Sequence, residues 1–443
     1  MKTRVWIFVF FLVYCIAGCD DDSGKKSSSR AWTGPDYAET YNSSNAYYPK
    51  IAMDGQGNAI AVWNCRDIST NTYRIWANRY DPATGWAQPE PIESDASGSL
   101  LGMSVAMNSD GCAIVVWHKG DGLYDSIWAN RYDPEYGWGQ EELVEQNAYN
   151  ALNPCVAIDS QGNAIAVWQQ YDSTRFNIWA NRYEAGYGWG EAALIESDNT
   201  DDATLPRVAV DPDGNAVAVW LQNDATRDNV LSNRYTAGTG WGTPEPLESG
   251  TYTAFAPRVA IDSQGRAIAL WRQYDGTGFS IWHSLYAPGT GWSGASVIES
   301  DVSGSAEEPD LAMDTNGNAM AVWQLHDGSR SAIWGSRYTA GFGWGQEELV
   351  ELDHTGDAER PHVSVNARGS AVAVWHQYDG SNYNAWANLY STRSGWGTAS
   401  LLETDDAGYA DYPYAAIDPW GNAVAVWQQD DGYIYNIMTN RYR

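Results

Sequence analysis

Apolar and small residues alternate along most of this chain in runs of about five, and clusters of turn-forming residues separate the runs. Ala164-Ile165-Ala166-Val167-Trp168 is one such run, preceded by Asp159-Ser160-Gln161-Gly162-Asn163. Successive side chains of an extended strand point to opposite faces, so Ala164, Ala166 and Trp168 share one face and Ile165 and Val167 the other. Both faces are apolar, which suits a sheet covered on two sides. The cluster before the run places Gly162 where a tight turn needs a positive φ.

The run belongs to a frame that recurs to the end of the chain. It reads P-x-V/I-A-h-D-x-x-G-N-A-h-A-V-W, about ten further residues, I-W-A-N-R-Y, a short turn, G-W and finally h-E, where h is apolar. Its first Trp falls at 63, 117, 168, 220, 271, 323, 375 and 427, a spacing of 51 to 54 residues. Short strands repeating with a period near 50 predict the blades of a β-propeller. In the third repeat strand a is predicted over Cys155–Asp159, strand b over Ala164–Trp168, strand c over Ile178–Tyr183 and strand d over Trp189–Glu196. The last repeat stops at Arg443 without a strand d, while Trp32 and Glu39 have the spacing of a strand d that lacks its own repeat. The expected fold is therefore all-β: eight four-stranded blades in a ring closed by the N-terminal strand pairing with the C-terminal blade. Closure also removes the open sheet edges that invite aggregation.

Of the 24 Trp, eight stand on strand b, six on strand c and eight at the start of strand d. Nearly every Trp has a place in the frame, so their abundance is no sign of a binding site. The turn after strand a resembles the Asp-box and related D-x-x-G turns of many β-propeller families. The resemblance spans roughly residues 31–443 and implies the fold without implying an activity.

The N-terminus has a different character. Lys2 and Arg4 precede an apolar run from Val5 to Tyr14, then Ile16-Ala17-Gly18-Cys19, then Asp20-Asp21-Asp22. The run is too short for an ordinary membrane span and has the layout of a signal peptide. Ile16 to Cys19 resemble a bacterial lipobox. That resemblance implies cleavage before Cys19, lipidation of Cys19 with palmitate-type chains, and attachment to a membrane of the cell envelope. The expected organisation is a lipoprotein signal peptide over 1–18, a lipidated tether over 19–30 and the propeller over 31–443. Asp20 resembles an inner-membrane retention signal of some bacteria, and the acidic run resembles a surface-export signal of others, so the membrane and its side stay open. Cys65, Cys112 and Cys155 occupy three different repeat positions and imply no disulfide framework.

Charge narrows the partners. Asp and Glu number 56 against 26 Lys and Arg, for a net charge of −30. That field repels nucleic acid, which is excluded as a partner. The six His show no zinc spacing, and no P-loop, dinucleotide fingerprint or G-x-S-x-G is present, so no metal or cofactor is predicted. An Asp stands four residues after each strand-b Trp, at 67, 121, 172, 224, 275, 327, 379 and 431. Three of these b–c loops read Gln170-Tyr171-Asp172, Gln273-Tyr274-Asp275 and Gln377-Tyr378-Asp379. Amide, phenol and carboxylate together suit a sugar, whose hydroxyls they satisfy and whose apolar face the ring covers. Such an Asp also caps backbone N–H groups in a tight loop. The strand-d Glu residues, from Glu39 to Glu403, form a second set of carboxylates, fit either for a cation or for a hydrogen-bonded rim. Six Arg at one strand-c position, among them Arg131 and Arg234, read as blade packing. Uniform repeats offer several similar places, as multivalent binding does, whereas catalysis gathers unlike residues at one place. The expected function is that of a membrane-anchored extracytoplasmic protein binding a glycan, lectin-like, through loops of one face, rather than an enzyme. An assembly scaffold for envelope proteins is the alternative, and a glycoside hydrolase or lyase a second one.

Overall fold

The computed structural model describes residues 30–39, 44–67, 69–95, 102–120, 122–198, 200–248, 250–299, 304–351, 356–404 and 408–443. Cys19, the leader, the tether up to residue 29, and Asp121 lie outside the described residues. Eight antiparallel sheets follow one another along the chain, here numbered as blades 1 to 8 in the order of their strand-b Trp. In blade 3 strand a is Ala151–Ile158, strand b Ala164–Tyr171 and strand c Phe176–Glu184. Strand d is split into Gly188–Trp189 and Ala193–Leu194.

Three features of the blade depart from the sequence expectation, each for a local reason. Strand b continues past Trp168 because the polar residues that follow still pair: Gln170 sits opposite Asn177 and Tyr171 opposite Phe176. Strand d is interrupted where Asn181 of strand c donates from Nδ2 to Gly190 O at 3.0 Å. The same Nδ2 reaches Val144 O of the preceding blade at 2.7 Å. Asn130 and Asn233 repeat this double bond, so the Asn of I-W-A-N-R-Y ties neighbouring blades together. Strand a starts four residues early and carries a β-bulge, a register shift between Leu152 and Cys155.

The ring closes as the spacing of Trp32 and Glu39 predicts. Asp36–Tyr37 pair antiparallel with Thr439 and Met438 in blade 8, and Trp32 bridges Tyr442. Thr33 N donates to Arg441 O at 2.8 Å and Ala38 N to Ile437 O at 2.9 Å. Blade 8 in turn meets blade 1, where Asn78 Nδ2 donates to Ala38 O at 2.7 Å and Tyr48 N to Gln428 Oε1 at 3.0 Å.

The core lies between blades. All eight strand-b Trp are no more than 1 % exposed, and each clusters with apolar residues of the preceding blade, Trp168 with Ile114 and Val116 and Trp220 with Ile165 and Val167. In the a–b turn of blade 3 Asp159 Oδ1 accepts Gln161 N and Asn163 N, both at 2.8 Å. Gly214, the turn glycine of blade 4, has φ +83°, and a Cβ there would stand 3.1 Å from Asp159 Oδ2. Conformation and close approach both require glycine. With the turns fixed in this way, the eight a strands line the ring axis.

Candidate functional site

The Q-Y-D loops lie in three separate blades, 3, 5 and 7, and their polar groups are turned to internal use. Gln170 Oε1 accepts Trp168 Nε1 at 2.9 Å, Gln273 accepts Trp271 at 3.2 Å and Gln377 accepts Trp375 at 3.1 Å. All three Gln are buried. Asp172 Oδ1 accepts Thr174 N at 2.8 Å and Arg175 N at 3.0 Å, and Asp275 and Asp379 cap their loops likewise. These bonds to side-chain hydroxyls and backbone N–H groups pull the Asp275 and Asp379 carboxyls down to about 2. Tyr171, Tyr274 and Tyr378 are the members that still face outward, each against a neighbouring ring: Phe176 at 5.3 Å, Phe279 at 5.6 Å and Tyr383 at 5.3 Å.

The strand-d carboxylates are inside the sheets. All eight, from Glu39 to Glu403, are buried. Glu93, Glu299 and Glu403 accept the N–H of Ile75, Ile281 and Ala385 at 2.6–2.7 Å, taking over from strand d where its pairing with strand c ends. The strand-c Arg pack between blades: Arg234 lies 4.0 Å over the ring of Tyr286 and Arg131 5.9 Å over that of Tyr183.

Unlike residues converge at the axis instead. A cavity of about 560 Å³ is lined by strand-a residues of all eight blades. Its wall holds one residue from each, at the position left open as x in P-x-V/I: Lys50, Ser104, Cys155, Arg207, Arg258, Asp310, His362 and Tyr414. Strand b and the turns repeat nearly unchanged around the ring, whereas this position carries seven residue types. The bulge aims it. In seven blades the residue before the proline adopts a left-handed conformation: Tyr48 (φ 54°), Asn153 (53°), Leu205 (52°), Ala256 (48°), Glu308 (45°), Arg360 (52°) and Tyr412 (50°). Each is a conformation that costs a non-glycine residue about 1–2 kcal/mol. The proline beside it is buried, and the residue after it faces the channel.

Contacts run around the wall. Lys50 Nζ stands 3.4 Å over the ring of Tyr414, whose other neighbour is His362 at 4.4 Å between ring centres. His362 Nε2 lies 3.8 Å from Asp310 Oδ2, and Asp310 Oδ1 accepts Arg258 Nε at 3.2 Å. Burial pushes the His362 imidazole down to about 4, so it is neutral at pH 7. Of the other lining residues, Tyr412 packs edge to face with Tyr48 at 4.6 Å, and Arg360 pairs with Asp411 at 3.2 Å. Behind this pair His376 lies buried, 2.7 Å from Asp411 and 3.5 Å from Glu359. Burial alone would depress its pKa, but the two carboxylates outweigh it and raise it. Phenols, an imidazole, a carboxylate, a thiol, a hydroxyl and several cations thus surround one space large enough for a ligand.

No family model matches the sequence. A search of curated proteins finds no match either. Solved structures do match in shape. The ulvan lyase of polysaccharide lyase family PL25 covers 92 % of this chain and 95 % of its own, with a TM-score of 0.50 at 9 % identity. The polysaccharide lyase Uly1 covers 80 % of this chain and 92 % of its own, with a TM-score of 0.50 at 10 % identity. A protein of unknown function from Dyadobacter fermentans covers 94 % and 99 %, with a TM-score of 0.45 at 12 % identity. At such identities the likeness is one of fold.

Proposed function

We propose that this chain is a carbohydrate-binding protein of the bacterial cell envelope, carried on a lipidated Cys19, and that its ligand enters the axial channel. The observation that carries this reading is the concentration of unlike polar and aromatic side chains at one repeat position facing one cavity. A position that served packing alone would follow the frame, as the strand-b Trp and the turn Asp do. Rings beside hydrogen-bonding groups are what a sugar's mixed surface calls for, and Tyr412 and Tyr414 supply the rings. A ring has one axis, so the expected stoichiometry is one ligand per chain, unlike a lectin with a site on each of several loops.

Calorimetry of the full chain in neutral detergent, using polysaccharide fragments selected on a glycan array, tests the reading. One site per chain is expected. Tyr414→Ala should weaken binding at least tenfold, while a chain with Tyr171, Tyr274 and Tyr378 all changed to Ala should bind as the parent does. Binding that survives Tyr414→Ala and falls with the loop tyrosines would move the site to the loops and refute the channel reading.

A further inference from the structure

Strand a is the inner edge of every blade, so alternate N–H groups along it face the channel rather than strand b. In three blades the channel residue of the preceding blade takes up the N–H two residues after the proline. Ser104 Oγ accepts Val156 N at 3.3 Å, Asp310 Oδ2 accepts Val363 N at 3.0 Å, and His362 Nδ1 accepts Ala415 N at 3.4 Å. The register is the same each time. In blades 4 and 5 the accepting position is held by Arg207 and Arg258. A guanidinium carries five N–H donors and no acceptor, so the equivalent N–H groups, those of Val259 and Leu311, receive nothing from it. Cations and backbone donors therefore face the same stretch of wall.

The charges there are poorly matched. Arg258 shares Asp310 through Nε, and its Nη1 donates to Pro257 O at 3.1 Å. Arg207 Nη1 donates to Pro206 O at 2.8 Å, and among the described residues no carboxylate lies within ion-pair distance of it. Burial, and after it the charge of Arg258, lower the Arg207 pKa, as expected for two guanidiniums short of counter-charge. The cavity as a whole presents Lys50, Arg207 and Arg258 against Glu308 and Asp310, with its fourth cation, Arg360, paired to Asp411. In a chain of net charge −30 a cationic cavity does not follow from composition. Partly desolvated guanidiniums gain most from an oxyanion that accepts from them and from neighbouring N–H groups at once.

We propose that the channel wall of blades 4 to 6 is an anion subsite, in which Arg207, Arg258 and the N–H groups of Val259 and Leu311 hold a carboxylate or sulfate carried by an acidic polysaccharide. The inference rests on the channel reading above and narrows its ligand to polyanionic glycans. Carboxylate and sulfate make the same demands on the wall, so the experiment separates them.

The full chain in neutral detergent is titrated with three probes of similar length: polygalacturonate oligosaccharides for carboxylate, dextran sulfate oligosaccharides for sulfate ester, and dextran oligosaccharides as the neutral sugar. At least one anionic probe should bind tenfold or more tighter than dextran, and the tighter of the two identifies the group. Arg207→Ser places at blade 4 the residue that blade 2 already carries as Ser104; it gives the Val259 N–H an acceptor and removes the cation. It should lower anionic binding at least tenfold, as should Arg207→Gln, the fallback if the serine variant fails to fold. Arg182→Ala, on strand c away from the axis, should change nothing. Dextran bound as tightly as the anionic probes, or anionic binding indifferent to Arg207, would overturn the anion subsite and leave the carbohydrate reading standing. Binding of none of the three would overturn the subsite and count against the carbohydrate reading as well.

Discussion

Glu299 is 8 % exposed, and its two carboxylate oxygens accept the Ile281 N–H at 2.7 and 2.9 Å. Burial outweighs those bonds and raises its pKa from 4.5 to about 7; Glu39, Glu93 and Glu196 are raised by burial too. The folded chain then holds a proton that the unfolded chain has released above pH 4.5. The stability from this group is full below that pH and lost as pH rises through 7. Glu299→Gln keeps the accepting oxygen without the titration. The variant should match the parent in stability near pH 4.5 and exceed it by about 3 kcal/mol at pH 8, with each pKa unit worth about 1.4 kcal/mol. Comparing the two chains cancels the opposing titration of His362, so thermal melting from pH 4.5 to 8 reads Glu299 alone. An offset independent of pH would contradict the assignment. The sequence shows where these carboxylates recur, but not that they lie inside, because nothing in the frame marks that strand d stops pairing just before them and leaves a strand-c N–H to be accepted. The Asp of the b–c loops is different: its spacing from small residues and hydroxyls already reads as a cap, and the structure places it as one.

At the scale of the strand, the bulge in strand a decides which residues reach the axis. An Ala stands three residues before the proline in seven blades, for example Ala254 before Pro257, and both are buried. Alternation puts residues three apart on opposite faces, so two buried residues at that spacing require one extra residue between them. That signal is present in the sequence, but a frame starting at the proline does not contain it. The channel position was likewise in plain view as a variable residue in a regular strand, and its variety carries meaning only once strand a is known to face the axis. The left-handed residue at the bulge can be tested directly. Ala256→Gly, at φ 48°, should leave stability unchanged or raise it by up to about 1 kcal/mol. Ala254→Gly, two residues earlier in the same strand but outside the left-handed region, should lower it by about 1 kcal/mol. Equal losses in chemical denaturation would mean that the bulge conformation is wrong.

For the whole molecule, the eight-bladed ring and its closure follow from the repeat count and the spare strand at the N-terminus, because each blade must bury both faces and only a ring gives every blade two neighbours. The same regularity hides the site. Repetition suggests several equal loops and multivalent binding, whereas the ring gathers its eight variable positions at one axis, where unlike chemistry can act on one ligand. That convergence also removes the main argument from uniformity against catalysis. Cys155 offers the most direct test of the channel as the binding site. It lies on the wall, whereas Cys65 is buried in blade 1 and Cys112 sits beside Arg131, just before strand b of blade 2. In a Cys112→Ser chain, a bulky maleimide on Cys155 should abolish glycan binding, and glycan bound beforehand should slow the labelling. A chain fully labelled at Cys155 that binds glycan as tightly as the unlabelled one would contradict the account.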